Sequence, residues 1–180
     1  MLYKFILTLL FISAINIIVV FTAHAAPYGD GVYNAHVPYG GETQLSIATT
    51  GSISIPISPT SSGALGTGNS VVTVTSTDVA GYKLYIRALT NSSLVNGGSS
   101  IVASSNVAAG SLATNTWGYN ITGLSTFIGL TTSDVQLKSL TGPASTGDVT
   151  TVTYGIYIDQ TKTPGAYSSD IIYTAVPQTN

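Results

Sequence analysis

The chain has 180 residues, no cysteine and only 7% charged side chains, seven acidic against five basic, for a net charge of −2. So few and scattered cations argue against a nucleic-acid partner, because such proteins need clustered basic groups to displace phosphate counterions. Without cysteine there are no disulfides and no thiolate metal sites, so an exported domain of this composition must be held by its core.

The first 25 residues read as a secretory signal. Lys4 supplies the positive end, residues 5–21 are mostly apolar, and Ala23-His24-Ala25 is a small-x-small cleavage site. An uncleaved anchor is the alternative, since the stretch approaches the roughly 20 residues that span a bilayer. Thr8, Ser13 and Asn16 interrupt it and favour cleavage. Contact with a membrane is expected only through this segment, and the protein is expected to be secreted or held at the cell surface. Beyond the signal, four cations face all seven acids, a net charge of −3.

Residues 26–42 form an arm rich in glycine, tyrosine and proline, with Pro-Tyr-Gly at Pro27 and again at Pro38. Residues 27–41 show no strand alternation, and their glycines and prolines are too dense for a helix, so the arm is expected to be flexible or extended. His36 is the only histidine after the signal, and it has no partner in the stretch. Tyr28, Tyr33 and Tyr39 are the arm's candidates for contact with a neighbour or the envelope.

From residue 43 to residue 180 a single β-sandwich domain is expected. In residues 52–58 Ile53, Ile55 and Ile57 alternate with Ser52, Ser54, Pro56 and Ser58, which predicts a strand with one buried face. Pro56 cannot donate to a ladder, so this strand should lie at an edge or carry a bulge. Residues 61–70, SSGALGTGNS, read as a glycine-rich turn, and a second strand follows through Val72 and Val74, or through Val71 and Thr73.

The clearest run comes next: Tyr82, Leu84, Ile86 and Ala88 point one way, and Lys83, Tyr85 and Arg87 the other. Asn96-Gly97-Gly98 is a turn, residues 101–110 are a weak strand or coil, and Trp117 and Tyr119 share one face of a short strand. Residues 124–140 are ambiguous between a helical turn and an irregular strand. Val152, Tyr154, Ile156 and Ile158 then share one face, with Gly155 as a candidate bulge. Pro164-Gly165 suits a type II turn before a final strand over residues 166–176.

Seven or eight short strands without a long helix predict an all-β fold, an antiparallel β-sandwich of immunoglobulin-like or pilin-like type preceded by a signal peptide. Asp78-Val79-Ala80-Gly81-Tyr82 is similar to the lead-in of a tyrosine corner, in which a tyrosine hydroxyl bonds back to the backbone.

Chemistry-bearing patterns are scarce. A Ser-His-Asp triad would have to use His36, which lies outside every predicted strand, and there is no Gly-x-Ser-x-Gly elbow. Glu42 is the sole glutamate and most aspartates sit where turns are expected, so a glycosidase pair has no local basis. No catalytic residue, cofactor or metal ligand is expected, although a loop calcium on backbone carbonyls stays open as an alternative. Two Asn-x-Ser/Thr sequons occur, at Asn91 and Asn120.

The aromatic residues remain. Trp117 and Tyr119 are candidates for ligand contact, against the reading of a lone strand tryptophan as a core plug, and Tyr85 and Tyr157 are outward candidates for a ligand or partner.

The Tyr-Gly-x-Gly-x-Tyr start at Tyr28 to Tyr33, together with VTVTSTDVAGYKLYI, NTWGYNI and the closing VTYGIYIDQTKTPGAYSSDIIYTAV, resembles secreted surface β-sandwich proteins of Saccharibacteria-type bacteria of the candidate phyla radiation. A looser likeness links the closing Pro-Gly-x-Tyr strand to WxL-type cell-wall domains and pilin-like sandwiches. The double Trp-x-Leu motif and an LPxTG motif are not in this sequence. The resemblance implies an extracellular sandwich and transfers no catalytic residue.

The expected function is therefore non-enzymatic: adhesion, or service as a subunit of a surface assembly. The partners would be other surface proteins, further copies of the chain, or cell-wall or host glycans. The alternative is a carbohydrate-binding module using exposed aromatic residues, and the third reading is a secreted hydrolase.

Overall fold

A computed structural model describes residues 43–178. The signal segment and the arm, with Tyr28, Tyr33, His36 and Tyr39, lie outside the described residues. Nine strands run in chain order: β1 (Gln44–Thr49), β2 (Ala64–Thr77), β3 (Gly81–Ala88), β4 (Leu94–Asn96), β5 (Ser99–Ala103), β6 (Thr116–Asn120), β7 (Val135–Thr141), β8 (Ala144–Ile158) and β9 (Ile171–Gln178). They form a six-stranded sheet, β1-β2-β8-β6-β5-β4, and a three-stranded sheet, β7-β3-β9. No helix occurs among the described residues, and the two sheets face each other across one core in the manner of a β-sandwich. Every pairing between strands is antiparallel except β5 with β6, which run parallel for two residue pairs.

The alternation expected from the sequence sets the core. Val72 and Val74 of β2, Tyr82, Leu84 and Ile86 of β3, Trp117 and Tyr119 of β6, and Val152 and Tyr154 of β8 all point inward and are buried. The ambiguous 135–141 stretch is a strand, and the Gly97-Gly98 turn joins β4 to β5 with Gly97 at a φ of +55°.

The strands number nine where seven or eight were expected, the last begins at Ile171 where residue 166 was expected, and four further expectations are corrected. Residues 61–70 are a turn only at their start: Ala64 already opens β2, which pairs with β8 from Ala64↔Ile158 onward. The small inward residues Ala64, Gly66, Gly68 and Ser70 form a strand face with little side chain. Secondly, residues 51–59 make no ladder; they run extended across the inner face of β2, with Ile53, Ile55 and Ile57 half-buried. The physical reason lies beneath them. A Cβ on Gly66 would stand 2.7 Å from Ile57 Cδ1 and 2.9 Å from Ile55 Cγ2, and one on Gly68 would stand 2.8 Å from Ile53 Cγ2, so the isoleucines occupy the space the glycines leave.

Thirdly, Gly155 is not a bulge; the shift in register falls between Val74 and Ser76 instead. Gly155 pairs in register with Gly118, and the ring of Phe127, fully buried, lies where the side chain of residue 155 would be, with Cε2 2.7 Å from the position of a Cβ. Fourthly, Tyr82 makes no tyrosine corner. Its hydroxyl donates to the Asp148 carboxylate at 2.6 Å, and Lys138 Nζ donates to the other oxygen at 2.7 Å. Asp148 thereby ties β8 of the larger sheet to β3 and β7 of the smaller one. Burial disfavours its charge, but the Lys138 and Tyr82 hydrogen bonds and the Lys138 charge outweigh this and hold its carboxyl below the usual carboxylate range. The same carboxylate, added to burial, raises the Tyr82 hydroxyl above the tyrosine range.

Candidate functional site

The smaller sheet covers only part of the larger one, and residues 51–59 cover another part. Between these two covers runs a groove of about 650 Å³. One wall is the extended stretch from Thr49 to Ile57; the other is built from Gly165 to Ile171 and from Tyr173. Ser70, Trp117, Tyr154, Ile156 and Ile158 make the floor. The small inward residues of β2 seat one of the groove's walls: Gly66 and Gly68 lie beneath Ile53, Ile55 and Ile57, and of the four small residues Ser70 alone faces the groove.

Its interior is neutral. The Trp117 indole lies on the floor, its Nε1 donating to the Ser92 carbonyl at 2.9 Å and its ring 6.3 Å from that of Tyr154. The Tyr154 and Tyr173 hydroxyls share a hydrogen bond. Burial pushes the Tyr154 hydroxyl far above the tyrosine range, with Tyr173 adding to the effect. Burial also raises Tyr173, against the lowering effect of its bonds with Tyr154 and Ser70. Both therefore stay protonated, and Asp170, exposed at the rim, is the one charged residue in the lining. No nucleophile and base are paired along this lining, and no three His, Cys, Asp or Glu side chains gather among the described residues.

What the groove offers is backbone. The Leu89 amide donates to the Asp170 carbonyl at 2.9 Å and the Ala80 amide to the Gln178 carbonyl at 3.2 Å, so the even-numbered residues of β9 turn their polar groups to β3. By alternation Ile171 and Tyr173, which line the groove, turn theirs away from β3, to the other edge of the strand, which β1 also approaches. Among the described residues β9 pairs with β3 alone. An apolar floor beside an unpaired strand edge can bind an extended, uncharged peptide by adding it to the sheet.

No family model matches this chain, and neither does a curated protein or a solved structure.

The aromatic candidates are not brought together. Trp117 and Tyr119 are 2% and 1% exposed, facing the core, so they form no open stacking platform. Burial raises the Tyr119 hydroxyl as well. Tyr85 is half-buried on the outer face of β3, and Tyr157 half-buried on the outer face of β8, its hydroxyl donating to the Ser62 carbonyl at 2.6 Å. The three groups thus belong to opposite outer faces and to the interior. Asn120 of the second sequon is buried and donates to the Thr126 carbonyl at 2.6 Å, which makes it a structural residue rather than an open glycan acceptor.

Sequence reasoning missed the groove's walls and most of its floor, including Ser70, Tyr154, Tyr167 and Tyr173. The signal was present as the run Ala64, Gly66, Gly68, Ser70, four small residues at a period of two leading into Val72.

Proposed function

We propose that this chain is a non-enzymatic subunit of a surface assembly, exported by its N-terminal signal, that associates by accepting an extended strand in the groove beside β9. The observation that carries this reading is the unpaired edge at Ile171 and Tyr173 lying over a neutral, apolar floor. Backbone groups at such an edge pair readily with another chain, and proteins whose edges have no binding role blunt them with charge or proline. Here the lining holds no lysine, and the one proline of β9, Pro177, stands at the far end of the strand.

Within the sandwich class, the same feature favours the pilin-like over the immunoglobulin-like type, since an incomplete second layer needs a strand from elsewhere and the tyrosine corner is replaced by the Tyr82–Asp148 bond. The function also agrees with the charge-poor, hydroxyl-rich surface. The test is mass against concentration: light scattering on the purified chain should show oligomers that grow as concentration rises. A chain that stays monomeric at high concentration refutes the reading.

A further inference from the structure

Resting on that reading of the groove, we infer that its occupant is the arm of a second copy of this chain, residues 33–39, laid antiparallel to β9 with Tyr33, Ala35, Val37 and Tyr39 turned to the floor. Over the whole arm no alternation is visible, but these four residues stand at every second position, separated by Asn34, His36 and Pro38. That is the two-residue period a strand needs when one face is apolar and the other wet.

Charge agrees. The groove is neutral apart from Asp170 at its rim, and residues 33–39 carry no acidic, lysine or arginine side chain. The single ionisable group, His36, falls at an outward position. Direction follows from Pro38. In an antiparallel pair, the residues opposite Ile171 and Tyr173 share their face and turn their own amides toward β9. Those are the odd-numbered arm residues, so the amide that Pro38 lacks would have pointed away from the ladder. A parallel arrangement would put Pro38 among the bonding residues and lose a hydrogen bond.

Chain length decides whose arm it is. β1 begins at Gln44, opposite Thr77, and ends at Thr49, where the groove starts. Thr43 is therefore about 20 Å from the mouth, six residues at roughly 3.3 Å each. Four residues of fully extended chain reach only about 14 Å, so the chain's own Tyr39 stays outside. Its Val37 would come no further than the mouth. A second copy can seat all four residues, and because arm and groove are different surfaces, the contact repeats head to tail instead of closing into a two-fold dimer.

The experiment uses two variants of the full chain. Val37→Asp places a charge on the neutral floor and alters nothing in the described fold; Ile171→Pro removes an amide from the free edge while leaving the bonds to β3 in place. Sedimentation should show each variant associating at least roughly tenfold more weakly than the unaltered chain. An equimolar mixture of the two should form discrete dimers and nothing larger, since the intact arm of one meets the intact groove of the other. If Val37→Asp associates as strongly as the unaltered chain, the arm is not the occupant, although assembly itself stands. If the unaltered chain never associates, both readings fall. Should Ile171→Pro not fold, Val37→Asp decides alone.

Discussion

Replacing Gly66 by valine should destabilise the protein, although ordinary strand preferences predict the reverse. Valine gains over glycine in a strand by up to about 1 kcal/mol, through lower backbone entropy and better packing on a pleated surface. At Gly66 that gain meets Ile57 and Ile55, whose Cδ1 and Cγ2 atoms stand 2.7 and 2.9 Å from where the new Cβ must go. The stretch carrying Ile53, Ile55 and Ile57 would have to lift. Full burial of an isoleucine contributes about 1.5–3 kcal/mol, so freeing three half-buried ones costs about 3 kcal/mol, and the net loss is about 2 kcal/mol. For a domain of this size that lowers the thermal midpoint by roughly 6 °C.

Trp117, the only tryptophan, reports unfolding through its fluorescence, and limited proteolysis within residues 51–59 reports the lifting of the wall. Protease sensitivity should rise in the variant before the domain melts. A Gly66→Val protein as stable as the unaltered one, or more so, would mean that the isoleucines are not seated on the glycines, and the groove would lose that wall.

Phe127→Ala should cost about 3–5 kcal/mol of unfolding free energy in urea denaturation while leaving the native Trp117 emission unmoved, because the ring fills the outer face over Gly118 and Gly155 rather than the inner core. Asp148 gives a pH prediction: its carboxyl is held below the unfolded value near 3.9, so its contribution is complete above about pH 4 and is lost as pH falls through the lower folded value. Asp148→Asn should therefore be about 1–2 kcal/mol less stable than the unaltered chain at neutral pH, with the gap closing in acid when denaturation midpoints are compared across pH.

Residues with a strict period of two could be placed from the sequence. Tyr82, Leu84, Ile86 and Ala88 face the core as their spacing demands, and so do Trp117 with Tyr119 and Val152 with Tyr154. Difficulty came wherever a strand's buried face was not apolar. Ala64 to Ser70 has a glycine at two of its inward positions, so its composition signals a turn even though all seven of its residues pair with β8. The converse error came at Ile53, Ile55 and Ile57, where alternation marks a half-buried extended chain and does not report whether backbone partners exist. Only the residues beneath reveal that those isoleucines cover a sheet instead of belonging to one. The hydroxyl of Tyr82 was similarly illegible, since its partner Asp148 is 66 positions away. The candidate site depends on both kinds of missed information.

The placement of β1 has a mechanical consequence. Its first residue, Gln44, lies opposite Thr77, and its last, Thr49, opposite Val72, next to the groove. In a head-to-tail assembly the arm leaves each copy at one end of β1 while the neighbouring arm enters near the other. Tension along such a fibre would run parallel to β1 and β2, across hydrogen bonds that stand perpendicular to the pull. All six paired positions would share that load in shear rather than unzip one after another, so a chain without a single disulfide would still have a joint suited to being stretched.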